Sequence, residues 1–550
     1  MKKVFKYLSI VGLTLASASC GEEFIDRYPL DRPNPANFFI DDVSARQAVN
    51  AAYQPWTRNA DMFQRDAIIV WDAMTDDSYW RPSRGPSIAQ ERWDITATHG
   101  AINNYWELAF QSINNANFAI QGIPMSSDPN FTEEEKLPYI AEARFMRGFA
   151  YLFLVSFFGD VPLIDKPLST FEEYHQARVA KSEVFDQIIA DFEFAKQNLP
   201  DEQPGAEGAA VKATAAAYLA KAYLYSEDWA NTATAAVDAI AIAQSTGFAL
   251  VSDYLSIWDH ANEGNPELLF YISYAHNSEQ FGQNMTIQRI SRSLPPQLRY
   301  IYGAGDGWGY ALPQRDLYDA FESEDPRRGY TLFAPGDVFG IYNQAAPFTY
   351  THERYDETGK IVKNTVTYNN GDPVTYDYRW SETGLNVRKM IMNMEGITNV
   401  RWAGQDVPLM RMADLYLMAA EAYARQGNPL ALTYVNAVRA RPSVNMPPRV
   451  VGDGRPGSAS LLDIVKHERR VELAMEGIRL FDLLRWGELK TVFGDGTKVK
   501  RHFYSDYVTR DKFDNPLSYL NNILDPVLFP IPQAELDANQ AINVNNPGWD

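Results

Sequence analysis

The feature that most constrains this chain is an apolar stripe. Met146, Phe149, Ala150, Phe153, Leu154 and Phe157 recur at spacings of three and one, the period that gathers side chains on one side of an α-helix. Gly159 and then Pro162 end that helix. Val184, Phe185, Ile188, Ile189 and Phe192 repeat the spacing after Ser182, a suitable N-cap. Two Ala-rich helix pairs stand further along. Residues 213–225 and 229–243 are joined by a short Ser-Glu-Asp turn, and residues 412–425 and 430–439 by a Gln-Gly-Asn-Pro turn. Ala220 to Tyr223 and Ala420 to Tyr423 occupy matching places in the two pairs. Small residues on facing helices allow close packing, as in tetratricopeptide-like pairs. A third helical block covers 459–486. The pattern predicts a mainly α fold, with a helical body over 40–260 and 406–550. Between about 260 and 405, Tyr, Gly, Asn and Pro displace the stripes, and short strands are expected at Glu267 to Tyr274 and Thr365 to Tyr368. A length of 550 residues would suggest three or four domains at roughly 150 residues each. No low-complexity linker divides the chain, so residues 20–550 read as one domain carrying a loop-rich insertion.

The N-terminus carries its own message. Lys2, Lys3 and Lys6 precede a short apolar stretch from Tyr7 to Ala16 and then small residues, the layout of a secretory signal over residues 1–19. The stretch is short of the roughly 20 residues that span a bilayer. Cys20, the single cysteine, stands where a lipoprotein signal places its acylated residue, although Ser17 occupies the position usually taken by Leu. Lipid on Cys20 would anchor the domain to a membrane surface; ordinary cleavage after Ala18 would instead leave a thiol near the mature end. Glu22 and Glu23 resemble signals that send such proteins to the cell surface in some Gram-negative bacteria. A net charge of −20 argues against nucleic acid as a partner, because phosphate binding relies on Lys and Arg. Seven His and one Cys leave little material for a soft-metal site, and no metal or cofactor is expected.

Several catalytic signals fail on inspection. His467 to Arg470 lacks the second His of a zinc-protease helix, and Trp308 interrupts the Gly303–Gly309 series where a dinucleotide loop needs Gly. Asp76 and Asp77 are adjacent carboxylates of the kind glycosidases use, but loop capping or hydrogen bonding to a ligand suits them better. Glu468 to Arg485 reads as a charged helix pair with i,i+3 and i,i+4 ion pairs outside and apolar faces inside, rather than an anion site. The positive candidates are aromatic. Tyr79, Trp80, Arg81 and Arg84 follow the Asp76–Asp77 turn and lie on or beside a loop. Far away, Tyr302, Asp306, Trp308 and Tyr310 stand among four glycines, which offer no side-chain cover. Such rings present flat faces to sugars, with nearby Asp and Arg bonding hydroxyls; they could equally plug the insertion against the body. Trp106, at helical spacing, reads as core.

Several segments together resemble the SusD/RagB family of surface lipoproteins of Bacteroidetes. They are Cys20 to Asp26 with Tyr28 and Pro29, Ala141 to Leu163, Arg411 to Ala422 with Asn436 to Arg439, Glu468 to Trp486, and Pro530 to Pro532 with Asn545 to Trp549. The resemblance covers the chain in family order and is weakest over 260–405. It implies a non-catalytic protein that captures oligo- or polysaccharide and delivers it to a TonB-dependent, SusC-like transporter of the outer membrane. It also implies an aromatic binding face made by an early loop and the middle insertion, here the Trp80 loop and Trp308 with Tyr302 and Tyr310. Some relatives carry peptides, which leaves a peptide ligand as one alternative and a secreted glycosidase using Asp76 or Asp77 as another. The acidic balance favours a neutral glycan. Mass spectrometry of the mature N-terminus is expected to find lipid on Cys20; an unmodified peptide starting at Ser19 would contradict the anchor.

Overall fold

The structure, a computed structural model, describes residues 38–58, 63, 67–80, 87–168, 170–274, 295, 307–342, 345–355, 360–389, 405–493 and 527–549. The fold is mainly α. Its first half runs α1 (Asp42–Arg58), α2 (Ala67–Ala73), β1 (Ser78–Trp80), α3 (Ser87–Glu91), α4 (Gly100–Gly122) and α5 (Glu133–Phe158). A small ribbon of β2 (Val161–Pro162) and β3 (Arg178–Val179) leads to α6 (Lys181–Asn198), α7 (Lys212–Tyr225) and α8 (Trp229–Ser245). Helix α5 is the hub. Thr132 and Glu135 cap its start reciprocally, the Thr132 N–H donating to Glu135 Oε2 at 2.8 Å. Its stripe buries Phe145, Met146, Phe149, Phe153 and Phe157, and Gly159 ends it at φ +70°. Helix α6 starts two residues earlier than its sequence cap implies. Ala180 is the N-cap, and Asp160 Oδ1 accepts the Lys181 N–H at 2.8 Å in place of a Ser182 cap.

The middle of the chain supplies short strands and two short helices: β4 (Leu268–Ile272), β5 (Ala311–Pro313), α9 (Arg315–Ala320), α10 (Pro326–Thr331), β6 (Leu332–Phe333) and β7 (Val338–Ile341). Then come β8 (Phe348–Tyr355), β9 (Ile361–Tyr368), β10 (Pro373–Thr375), β11 (Asn386–Val387) and β12 (Val407–Arg411). All pair antiparallel and in twos, including a hairpin of β8 with β9 in which Thr349 and Thr351 face Thr367 and Thr365. The chain closes with α11 (Met412–Arg425), α12 (Ala431–Arg439), α13 (Leu461–Glu472), α14 (Ile478–Trp486), α15 (Leu489–Phe493) and α16 (Gln533–Ala538). Helix α8 packs on both α7 and α11, so the two Ala-rich pairs, far apart in sequence, stack on each other. Ala216, Ala220, Ala236, Ala239, Ala419 and Ala420 are buried where these helices meet.

The charged block is organised differently from the sequence expectation. Its ions are buried and their partners are distant. Arg411 reaches Glu267 (2.9 Å), Glu472 (2.7 Å) and Glu476 (2.9 Å). Arg327 reaches Asp325 (2.7 Å), Glu468 (2.6 Å) and Glu472 (2.9 Å), and Arg441 reaches Glu267 (2.5 Å) and Glu472 (3.2 Å). Only short-range pairs such as Arg485 with Asp482 (2.7 Å) fit the i,i+3 pattern. The reason is tertiary cover: Val465 and Val471 of α13 face the core, and the segment carrying α9 and α10 packs on the flank that would otherwise be wet. Burial alone would raise the Glu472 carboxyl; Arg411, Arg441 and Arg327 hold it well below the carboxylate range instead.

Breaking a buried pair leaves charge without compensation. Arg411→Met is therefore expected to lower the unfolding free energy by about 3–5 kcal/mol. Lys196→Ala, which removes the partly exposed ion pair with Asp238, should change it by about 0–1 kcal/mol. Urea titrations of the two variants measure the contrast.

Candidate functional site

The turn after α2 is built to hold one strand in place. Thr75 Oγ1 donates to Asp72 O at 2.7 Å, and the Asp77 N–H donates to Thr75 Oγ1 at 3.2 Å, a local closure typical of short polar side chains. The Gln314 N–H donates to Asp77 O at 2.9 Å. Its amide group donates to Ser78 O at 2.6 Å and to Thr75 O at 3.3 Å. These bonds align β1 with β5, putting Ser78 opposite Pro313, Tyr79 opposite Leu312 and Trp80 opposite Ala311. Two segments more than two hundred residues apart thus share one ribbon.

Pairing brings the predicted aromatics together. The Trp80 and Tyr310 rings lie 5.1 Å apart at 33°, and Tyr310 and Trp308 lie 5.6 Å apart at 48°. Trp80 and Tyr310 are each only 3% exposed, whereas Trp308 is half-buried. Trp80 is the last residue of β1, and Tyr310 is shielded by this ring from a distant segment rather than by its glycine neighbours. Tyr79 alternates to the other side of the strand and is buried too. The Trp80 indole N–H is buried without a hydrogen-bond partner among the described residues. Arg81, Arg84, Tyr302, Asp306 and Cys20 lie outside the described residues.

The acidic pair has its partners inside the protein. Arg479 holds Asp76 through two bonds of 3.0 Å, and Arg470 lies 2.9 Å from Asp76 and 2.7 Å from Asp77. Burial works to raise Asp76, but the two guanidinium groups bring it down to about 2. For Asp77, burial wins: it raises the carboxyl against Arg470, helped by the neighbouring Asp76 charge. Both are buried, Asp77 completely, so Asp77 supports the turn from within and offers no carboxylate surface. Asp72 completes the clamp by accepting the Gly477 N–H at 3.0 and 3.1 Å. Gly477 has φ +77°, and a Cβ there would meet the Ile68 backbone at 3.2 Å, so only glycine fits. The spacing of Arg470, Gly477 and Arg479 was visible in the sequence, but nothing local links them to a turn four hundred residues earlier. Among the described residues, no group of three or more His, Cys, Asp or Glu could hold a metal, and no helix is long and apolar enough to cross a membrane.

Comparison with known proteins points one way. A family model described as the SusD family matches residues 266–549, and one described as starch-binding, associating with outer membrane, matches 36–224. A SusD-like protein P2 of Formosa agariphila is 27% identical over 562 aligned residues, covering 100% of both chains. Among solved structures, a SusD-like carbohydrate-binding protein of Bacteroides fragilis matches with a TM-score of 0.70 and 24% identity, covering 92% of this chain and 100% of its own. Surface glycan-binding protein A of Bacteroides thetaiotaomicron, solved in complex with laminarihexaose, matches with a TM-score of 0.66 and 19% identity, covering 92% of this chain and 99% of its own.

The clamp has a pH signature. A carboxyl held at about 2 when folded contributes stability above the ordinary Asp value of 3.8 and loses it as pH falls through about 2. Asp76→Asn should therefore cost on the order of 2 kcal/mol at neutral pH. That gap is expected to close between about pH 4 and pH 2 in denaturant titrations.

Proposed function

The chain belongs to the SusD family, and we propose that it is a non-catalytic glycan-binding protein of the cell surface, held at the outer membrane through lipid on Cys20. It captures neutral oligo- or polysaccharide and hands it to a TonB-dependent, SusC-like transporter. The observation that carries this reading is the row of rings Trp80, Tyr310 and Trp308, assembled by the β1–β5 ribbon. Trp308, the most exposed of the three, is the stacking surface. Trp80 and Tyr310 hold it from behind, Tyr79 anchors the strand from its other side, and Asp77 fixes the turn. Arg81 and Arg84, next in sequence after Trp80, and Tyr302 and Asp306, just before Trp308, supply hydrogen bonds to hydroxyls. Flat rings with a few polar partners suit a ligand whose surface alternates C–H faces and hydroxyl groups.

The inner position of Asp76 and Asp77 favours binding over hydrolysis. Both carboxylates are buried and paired to Arg470 and Arg479, so neither has a face turned to a water or a leaving group. The charge of −20 supports a neutral ligand over a sulfated one.

Trp308→Ala is the clean test, because Trp80→Ala would open a cavity in the core and cost about 3–5 kcal/mol of stability. Calorimetry of the chain with defined neutral glycans, laminarin and soluble starch among them, is expected to lose at least about tenfold in affinity on Trp308→Ala with the unfolding midpoint unchanged. Unaltered affinity, or peptide instead of glycan recovered with the purified protein, would overturn the reading.

A further inference from the structure

A second cleft lies on helix α4, where the segment after β2 and helix α16 close against it. Its volume is about 520 Å³, in the range of ligand clefts, and none of its lining residues belongs to the Trp80–Tyr310–Trp308 row. Trp106 and Phe110 form the floor with ring centroids 4.9 Å apart. Trp106 is held there, its indole N–H donating to Glu535 Oε2 of α16 at 3.3 Å. The far wall is equally fixed: the buried Asn539 amide donates to Glu535 Oε1 at 2.8 Å and to Gln176 O at 2.9 Å. Gln176 in turn donates to Glu173 O at 2.9 Å, which steadies the turn carrying Tyr174. That ring is 57% exposed beside the cleft.

The polar groups left over on this surface are carboxamides. Gln111 and Asn114 stand exposed on the face of α4 that lines the cleft, and their side chains have no hydrogen bond to any described residue. A carboxamide both donates and accepts, as a sugar hydroxyl does. Among the described residues no Lys or Arg lines the cleft, so an anionic ligand finds no counter-charge from them there. The two lining carboxylates are engaged: Glu535 as above, and Glu107 accepting from Asn103 at 3.3 Å. An exposed tyrosine face, a ring floor and unengaged amides without a cation define a site for a neutral, hydroxyl-rich chain.

We propose that this α4–α16 cleft is a second glycan-binding site, taking a neutral oligosaccharide across Tyr174 with Gln111 and Asn114 bonding its hydroxyls. The ligand class rests on the glycan reading given above, while the residues are independent of it. Two sites on one chain would let a polysaccharide be held at two points, raising avidity without new contacts at either.

Native mass spectrometry of the full chain with maltohexaose, laminarihexaose, cellohexaose, xylohexaose and mannohexaose tests this. The expected result is two bound hexasaccharides for at least one probe, falling to one in the Tyr174→Ala, Gln111→Ala double variant and to one in Trp308→Ala. Both substitutions of the double variant sit on exposed side chains, and thermal unfolding checks that the fold is intact. One bound probe that is lost in Trp308→Ala and kept in the double variant overturns the second site and leaves the first. One bound probe with the opposite dependence upholds the cleft and overturns the Trp308 site. Binding of none of the five overturns both.

Discussion

The buried arginine–carboxylate network around Glu472 ties together segments that lie far apart in the sequence. Arg327 comes from the insertion, Arg411 from the strand that leads back into the helical body, and Arg441 from beyond α12; all three converge on one carboxylate of α13. Charges this deep cost several kcal/mol each to desolvate, and an apolar replacement of all partners could be just as stable. What the network supplies is mutual dependence: each arginine is compensated only when the other segments are docked. Lys389, pulled down to about 8 by burial, adds a further tie by donating to the Glu472 and Ala474 carbonyls at 3.1 and 2.9 Å.

The proposed binding face inherits that order. Arg470 of α13 and Arg479 of α14 clamp Asp76 and Asp77, so the strand bearing Trp80 is fixed by helices from the C-terminal part of the chain. Gln314 then fixes β5 to it, and Tyr310 and Trp308 follow. Side chains that never meet a ligand thus set the position of those that would. A stiff platform loses little conformational entropy on binding.

How much of this was legible in the sequence depends on range. The helices could be read because a stripe such as Phe149, Phe153, Phe157 is a local signal, and α11 begins and ends where its sequence pattern does. The two aromatic segments could be singled out by composition. Their pairing could not, since nothing near Trp80 says that Ala311 lies opposite it. The ion pairs misled for the same reason. Spacing along α13 suggested neighbours on a wet surface, whereas tertiary cover buried Glu468 and Glu472 against Arg327, Arg411 and Arg441. Burial also places Asp77 and Trp80 inside the protein, beneath the proposed face. The cleft on α4 left no sequence signal at all, because its walls come from three separated segments.

The central claim is that a sugar ring rests on Trp308. A crystal structure of the chain with a neutral oligosaccharide it binds tests that most directly. The expected result is electron density for a pyranose ring lying flat against the Trp308 indole, next to Tyr310, with the β1–β5 ribbon unchanged. Ligand density confined to other surfaces, with the Trp308 face covered by protein, would contradict the account.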